Sequence, residues 1–470
     1  MFLISLLKNA SSYILGSFLV QGLTFFTLPV FAKIMTPQDF GFYSSYLFWV
    51  TFITTIIGLQ TYSSINNAYI DFGEKNIFRY ASSISICAWG SFFIVLLFTF
   101  LIKDSLILLF ELPLNILLLG IVQSFFTYFF NNLTFIYRVL SSPKQYLILS
   151  ISNSMLNIIL SIFIIKNIYF QQKYFGRVYS SVFITLIIGL FCLIVIYKKG
   201  KIFFNYEYIK YSLKFSLPLI LHSIAAIFFT RCDQLMLVKM INPTIAGIYS
   251  FGTNFGHIMY VLYTSTNQAF IPWYYKTLNE NRIFLIKKLS SYYILILFGV
   301  YSILVFIMPE LISFMSNERY FLAKYSAPLI AFGFFINFLY TFPVNYEFFL
   351  KQTKFIAVGT ISSSIVNIIF NFILIPTFGE IGAALATVIS YISLLIFHLY
   401  IAKNIIKNYE LKVSLFFYFS FFAIIIVALY YIFIEILFVR ILFIILIFIF
   451  LLFIILKMKK TLLGSEKNEH

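Results

Sequence analysis

The sequence predicts an all-α polytopic membrane protein with about 14 transmembrane helices. They are expected to form two parallel six-helix repeats around a central cavity, plus a C-terminal hairpin. Three observations predict this. The 470-residue chain is 61% hydrophobic and only 10% charged, against about 25% charged residues in soluble globular proteins. Apolar stretches near the roughly 20 residues needed to cross a bilayer recur along its length. A motif close to the N-terminus also returns in mid-chain.

The apolar stretches fall at 11–33, 41–64, 82–102, 113–136, 145–165, 175–197, 213–238, 245–270, 290–309, 322–347, 354–375, 380–402, 413–434 and 438–456. The first is too long for a signal-peptide core and its pattern recurs where no signal could act, so it reads as a membrane helix. The last two are joined only by the turn EILFVR, Glu435 to Arg440, and form a hairpin beyond a 12-helix core. Placing the N-terminus in the cytoplasm and alternating sides puts 23 of the 33 Lys and Arg in cytoplasmic segments and 9 in outer ones. The positive-inside rule favours this orientation, with both termini cytoplasmic. The net charge of +17 follows that topology and the attraction of anionic headgroups. Nucleic acid is not an expected partner, because no soluble domain offers a basic face. Cys87, Cys192 and Cys232 lie in apolar segments without CxxC spacing, and the four histidines show no ligand spacing. No disulfide framework, metal or cofactor is expected.

The returning motif is FAKIMTPQDFGFYS at Phe31, which aligns without a gap to LVKMINPTIAGIYS at Leu237. Lys33/Lys239, Pro37/Pro243, Gly41/Gly247, Tyr43/Tyr249 and Ser44/Ser250 are identical, at an offset of 206. SPKQYLILSISNSMLN at Ser142 aligns with QTKFIAVGTISSSIVN at Gln352 at an offset of 210, and FGRVYSSV at Phe175 parallels IGAALATV at Ile381. Helices 1–6 and 7–12 therefore read as two copies of one bundle in the same orientation. Transporters built from parallel repeats place their substrate between the copies and rock one against the other. The expected organisation is a lobe at 1–200, a lobe at 201–405, and a terminal helix pair with a tail at 406–470.

Several stretches resemble a known family. FSLPLILHSIAAIFFTRCDQLMLVKMINPTIAGIYSFG is similar to the central signature of polysaccharide exporters, as is NIIFNFILIPTFGEIGAALATVIS. LPVFAKIMTPQDFGFYSS is similar to their N-terminal signature. These are the Wzx-type flippases of lipid-linked oligosaccharides, in the superfamily that also holds lipid II flippases and multidrug extruders. The likeness covers most of residues 8–403. It implies translocation of undecaprenyl-diphosphate-linked oligosaccharide repeat units across the cytoplasmic (inner) membrane, for O-antigen or capsule assembly. It implies as partners the bilayer and the polymerase and chain-length proteins of the same pathway. The hairpin beyond helix 12 departs from the usual 12-helix description.

Helix 7 carries the most informative residues. Arg231 and Asp233 lie about 9–12 Å from its outer end at Lys239, taking 1.5 Å per residue. A charge deep in lipid costs about 2.5–3.5 kcal/mol or more, so both are expected to face protein or a wet cavity. Two residues apart, they point to opposite sides of the helix. His222, Ala226, Thr230 and Asp233 share one helical face, expected to line the lumen. Arg231 is expected to bind the diphosphate or acidic sugars through its guanidinium fork, and Asp233 to carry a coupling proton or ion. Their counterparts in the first repeat are Phe25 and Thr27. Arg138 and Arg177 are further substrate-binding candidates, as are Lys33, Lys239 and His222. Lys33 and Lys239 also suit interfacial anchoring. Asn157, Asn367 and Asn371 suit hydrogen bonding between helices, and Gly382 with Ala386 a close-packing face.

Two other functions compete. An ion-coupled multidrug extruder would share the fold, but the first-half spans offer no acidic cluster. A membrane glycosyltransferase or polymerase needs a large outer loop with paired acidic or basic residues, and the outer connections here are short. No paired-carboxylate, Gly-rich phosphate or metal motif is present, and no catalytic residue is expected.

Overall fold

The computed structural model of the chain describes residues 22–23, 25–168, 171–407 and 409–467. Among these, every regular element is helical. The main helices are α1 (Phe25–Ile34), α2 (Pro37–Gly58), α3 (Ile65–Phe72), α4 (Ile77–Leu101), α5 (Lys103–Phe110), α6 (Leu114–Val139), α7 (Pro143–Asn167) and α8 (Tyr174–Gly200). They continue with α9 (Tyr206–Met240), α10 (Pro243–Asn279), α11 (Ile283–Met315), α12 (Ala323–Phe349), α13 (Thr353–Tyr400), α14 (Val413–Ile432) and α15 (Leu437–Lys467).

Eleven of the described helices are long and apolar enough to cross a membrane. The chain is a multi-pass all-α membrane protein. Expected helices 11 and 12 are the two arms of α13, which the backbone separates at Gly379 with φ of 55° and ψ of −130°. Glycine alone adopts that geometry without strain. The two arms fold back on each other, with Ser363 Oγ 3.4 Å from Ser393 Oγ and a side chain at Gly359 beginning 2.3 Å from His398 Nε2, so the Gly-x-x-Gly segment is the expected turn between two helices. α10 has 37 residues but a polar stripe that lowers its hydropathy. The expected span 11–33 lies mostly outside the described residues; α1 is its outer end.

The helix starts follow local chemistry. Pro37 opens α2, Thr36 accepts from the Asp39 amide, and the Asp39 carboxylate accepts from the Thr36 amide, a complete capping box. Pro143 opens α7, where its missing N–H leaves nothing unpaired. The Asn205 side chain caps α9 by accepting from the Tyr208 amide.

The chain forms two compact units, Met1–Gly247 and Ile248–His470. In the first unit, polar side chains pair between helices. Tyr46 donates to Gln123 Oε1 (2.5 Å), and Gln123 Nε2 donates to Ser181 Oγ (2.9 Å). Ser64 Oγ bonds both Tyr80 Oη (2.6 Å) and Ser212 Oγ (3.0 Å), tying α9 to the bundle. Such bonds contribute about 0.6–2 kcal/mol each inside a bilayer. This unit therefore extends past the repeat boundary at 200/201, because α9 packs on α2 and α4.

The terminal hairpin, α14 and α15, is part of the second unit. Arg440 is 4% exposed and binds Glu310 of α11 bidentately, at 2.6 and 2.7 Å, and the Phe306 carbonyl at 3.0 Å. Lys324 of α12 bonds Glu435 in the turn at 2.7 Å, which holds that carboxyl below its usual range. Tyr430 and Tyr431 donate to the carbonyls of Lys324 and Tyr325. The turn EILFVR is thus fastened to two other helices.

Replacing Arg440 with Ala strands the Glu310 carboxylate. Hydrogen bonds to charged groups contribute about 1.5–3 kcal/mol, and Glu310 is 41% exposed, so the lower part of that range is expected. Thermal unfolding of the detergent-solubilised R440A protein should show it, and E310L/R440M should recover most of the loss.

Candidate functional site

The two copies of the returning motif pack on each other within the first unit. A side chain on Gly41 would begin 1.9 Å from the Pro243 carbonyl oxygen, and one on Gly247 would begin 1.7 Å from that of Pro37. Each glycine thus sits against the other copy's proline, and backbone meets backbone with no charge involved.

Just inside this contact the structure gathers two of the predicted cations, Arg177 and Arg231. The Tyr174 amide donates to Asp39 Oδ1 at 3.1 Å, which fixes the start of α8 beside the start of α2. Arg177, one turn into α8, is enclosed by rings. Its guanidinium carbon stands 4.1 Å from the centre of Phe31, 4.2 Å from Tyr43 and 5.4 Å from Phe40. Cation–π contacts of this kind contribute about 0.5–2 kcal/mol each. Tyr43 is also within electrostatic reach of Arg231 on α9. Tyr43 therefore links Arg177 and Arg231, which the sequence could not place together.

Arg231 is half-buried in a membrane-spanning helix. Among the described residues its guanidinium makes no ion pair or hydrogen bond. Asp233 lies within its electrostatic reach but is 6% exposed and accepts from the Gln234 amide at 2.9 Å. The predicted stripe is not one uniform face: Thr230 is exposed, whereas Asp233 is buried. His222 is half-buried, and its Nδ1 is buried with no hydrogen-bond partner among the described residues.

The remaining candidates lie apart. Lys33 is exposed. Lys239 donates to the Leu108 carbonyl at 2.7 Å and lies 3.6 Å from Glu111, pinning α9 to α5. Arg138 is at the other end of the unit, donating to Tyr146 Oη at 2.9 Å with its guanidinium 4.7 Å from that ring.

A cavity of about 230 Å³ lies deeper in the first unit, between α2, α6, α7 and α8. Gln123, Asn131, Asn153, Asn157 and Thr185 contribute its polar wall. The wall offers donors and acceptors and no charge, so it suits water or a neutral hydroxyl-bearing group. Sequence reading missed it because the lining residues come from four helices. Asn157 lines this cavity, accepting only a long bond from Ser161, and Asn371 bonds Asn367 at 3.0 Å within its own helix. The expected bonds between helices are not what these three asparagines make. Among the described residues no cluster could hold a metal ion.

Comparison with known proteins fits this architecture. Residues 6–278 match the model of the family described as polysaccharide biosynthesis protein. A membrane protein of Haemophilus influenzae is 22% identical over 407 residues, covering 83% of this chain and 92% of its own. Among solved structures, the lipid II flippase MurJ in an inward closed conformation superposes with a TM-score of 0.72 at 16% identity, covering 93% of this chain and 97% of its own. An inward-facing multidrug transporter of the MATE family gives 0.61 at 13% identity, covering 81% and 93%. At these identities the superpositions establish the fold.

Alanine at position 247 or 41 forces the two helix starts apart. G247A and G41A should each lower the thermal midpoint of the purified protein, while G90A, where a side chain would meet nothing within 4 Å, should leave it unchanged.

Proposed function

The chain belongs to the polysaccharide biosynthesis protein family, and from that premise we propose that it is a flippase for undecaprenyl-diphosphate-linked oligosaccharide repeat units. It works by alternating access in the cytoplasmic membrane, with both termini inside, and serves O-antigen or capsule assembly beside the polymerase and chain-length proteins of that pathway. It is a transporter and not an enzyme. The lobes that move follow the repeat, 1–200 and 201–405, with 406–470 attached to the second.

The observation that carries this reading is Arg231, half-buried in a membrane helix and making no ion pair or hydrogen bond among the described residues. Such a group is costly in hydrocarbon, and a bidentate phosphate relieves it. Arg177 stands behind it across Tyr43 and adds positive potential. Asp233 is the candidate for coupling-ion binding. Lys33, Lys239 and His222 line the route, and Arg138 meets the substrate at the opposite end. The uncharged cavity of the first unit suits sugar hydroxyls rather than the diphosphate.

Deleting the gene should abolish surface polysaccharide and trap undecaprenyl-diphosphate oligosaccharide on the cytoplasmic leaflet. Normal polysaccharide with raised sensitivity to cationic drugs would instead identify an extruder. Incomplete glycan at the surface would identify an enzyme. In the complemented strain R231A should cut export about 10- to 100-fold, the equivalent of a charge-assisted hydrogen bond or two, and R231K should retain part of it. Lipid extraction and surface glycan blots provide both readouts.

A further inference from the structure

Glu347 and His398 of the second unit have no part in the site above. Each is 0% exposed, and each lies two residues before the end of its helix, α12 and α13 respectively. His398 Nδ1 stands 2.7 Å from Glu347 Oε1. The other two polar atoms, Glu347 Oε2 and His398 Nε2, are buried with no hydrogen-bond partner among the described residues. Among the described residues no lysine or arginine pairs with Glu347.

The groups facing the pair come from every side. Tyr340 of α12 meets the imidazole edge-on at 5.0 Å. Gly359 of α13 backs it: a side chain there would begin 2.3 Å from Nε2. Beyond the π-helix Ile401–Ile406, Tyr409 lies within electrostatic reach of Glu347, and its hydroxyl is buried without a partner. Behind Tyr409 stand Tyr274 of α10, Tyr346 of α12 and, in reach of both, Glu410. Tyr346 donates to the Lys407 carbonyl. From α14, Phe416 stacks on Tyr409.

The repeat shows that the fold does not require this pair. The equivalent positions in the first unit are Tyr137 and Cys192, themselves neighbours. The backbone fixes the correspondence. Ser141 and Lys351 take φ of 51° and 59° after α6 and α12, and Lys201 and Lys407 take 57° and 65° after α8 and the π-helix. The carbonyls of Tyr137 and Glu347 accept from the amides of Ser142 and Gln352, each five residues on. Gly359 corresponds to Leu149 at the same offset. The first copy fills the space with leucine and cysteine, the second with glycine and histidine. Uncharged groups suffice for packing, and a buried ionic pair is a poor source of net stability. Ionisable side chains inside a membrane mark function. A π-helix also begins three residues after His398, and such segments recur at functional sites.

We propose that Glu347 and His398 form a proton-binding site that couples proton movement to opening of the α12–α13 end. In the closed arrangement the pair shares one proton and is net neutral, whichever partner holds it. When that end opens, water reaches Oε2 and Nε2. A hydronium ion then gives up its proton to the carboxylate of the ion pair, leaving water, carboxylic acid and imidazolium. Reclosure removes the solvent that supports the extra charge and returns the proton to water. The coupling rests on the transport reading; the binding of the proton does not.

The test has two arms. Infrared difference spectra of the purified protein between acidic and alkaline buffer should show a carboxyl band that E347Q removes and H398Q shifts. Proteoliposomes loaded with lipid-linked oligosaccharide from the deletion strain should transport it several-fold faster under an imposed proton gradient. E347Q should lose that stimulation. So should E347Y/G359L/H398C, which transplants the first unit's own packing and therefore preserves the fold. Full stimulation in the triple variant, or no Glu347 band in the spectra, overturns the proposal. A Glu347 band in a protein that transports nothing supports the proton site and overturns the flippase reading instead.

Discussion

Hydrocarbon offers no hydrogen bonds, and the organisation of this chain follows from that. Backbone groups are satisfied inside helices, so side chains decide the rest. Most polar ones find each other, as Ser64, Tyr80 and Ser212 do. The Arg440–Glu310 fork does the same with charge, and leaves Glu310 partly open to solvent. Against that background the exceptions are informative. The Arg231 guanidinium makes no pair with a described residue. The cavity of the first unit keeps Gln123, Asn131, Asn153 and Asn157 along its wall. Glu347 and His398 hold each other and leave two buried atoms unused. Packing alone explains none of these.

The duplication sharpens the point, because it supplies an internal control. The two copies share helix-ending backbone at Ser141 and Lys351 and at Lys201 and Lys407. They also share the proline and glycine that let the two motifs touch. They differ in ionisable groups. Phe25 and Thr27 in the first copy become Arg231 and Asp233 in the second, and Tyr137 and Cys192 become Glu347 and His398. Scaffold positions are held in common while ionisable groups are not, and Arg177 of the first copy stands against Ala383 in the second. Such a duplication can carry function asymmetrically without two separate architectures.

The helices were legible in sequence because the signal for a span is local, a run of apolar residues of fixed length. The repeat was legible because Pro37, Gly41 and their copies keep one offset. Arg231 was conspicuous as a charge inside such a run. Glu347 was not, since it falls at the edge of its span, where a carboxylate draws no notice. His398 read as a lone histidine because its partner is 51 residues away. The ring cage of Arg177 joins α1, α2 and α8, and no spacing rule connects those segments. The turn at Gly379 was legible because glycine and proline cluster there, and the chain reverses at that glycine, bringing Ser363 and Ser393 together.

The nature of the Gly41 and Gly247 contact limits what can drive a cycle. It is backbone on backbone, uncharged, with no side chain to desolvate or rehydrate. Separating such surfaces forfeits dispersion contacts that are individually only about 0.1–0.2 kcal/mol, and breaks no salt bridge. A contact of this kind closes well and opens readily, so it cannot by itself set the direction of transport. Direction has to come from groups whose interaction changes with ligand or proton. On the reading proposed above these are Arg231, for an arriving anion, with Asp233 and the Glu347–His398 pair, for an ion or proton. The neutral contact and the ionisable groups are thus complementary: one makes rearrangement inexpensive, the others make it conditional.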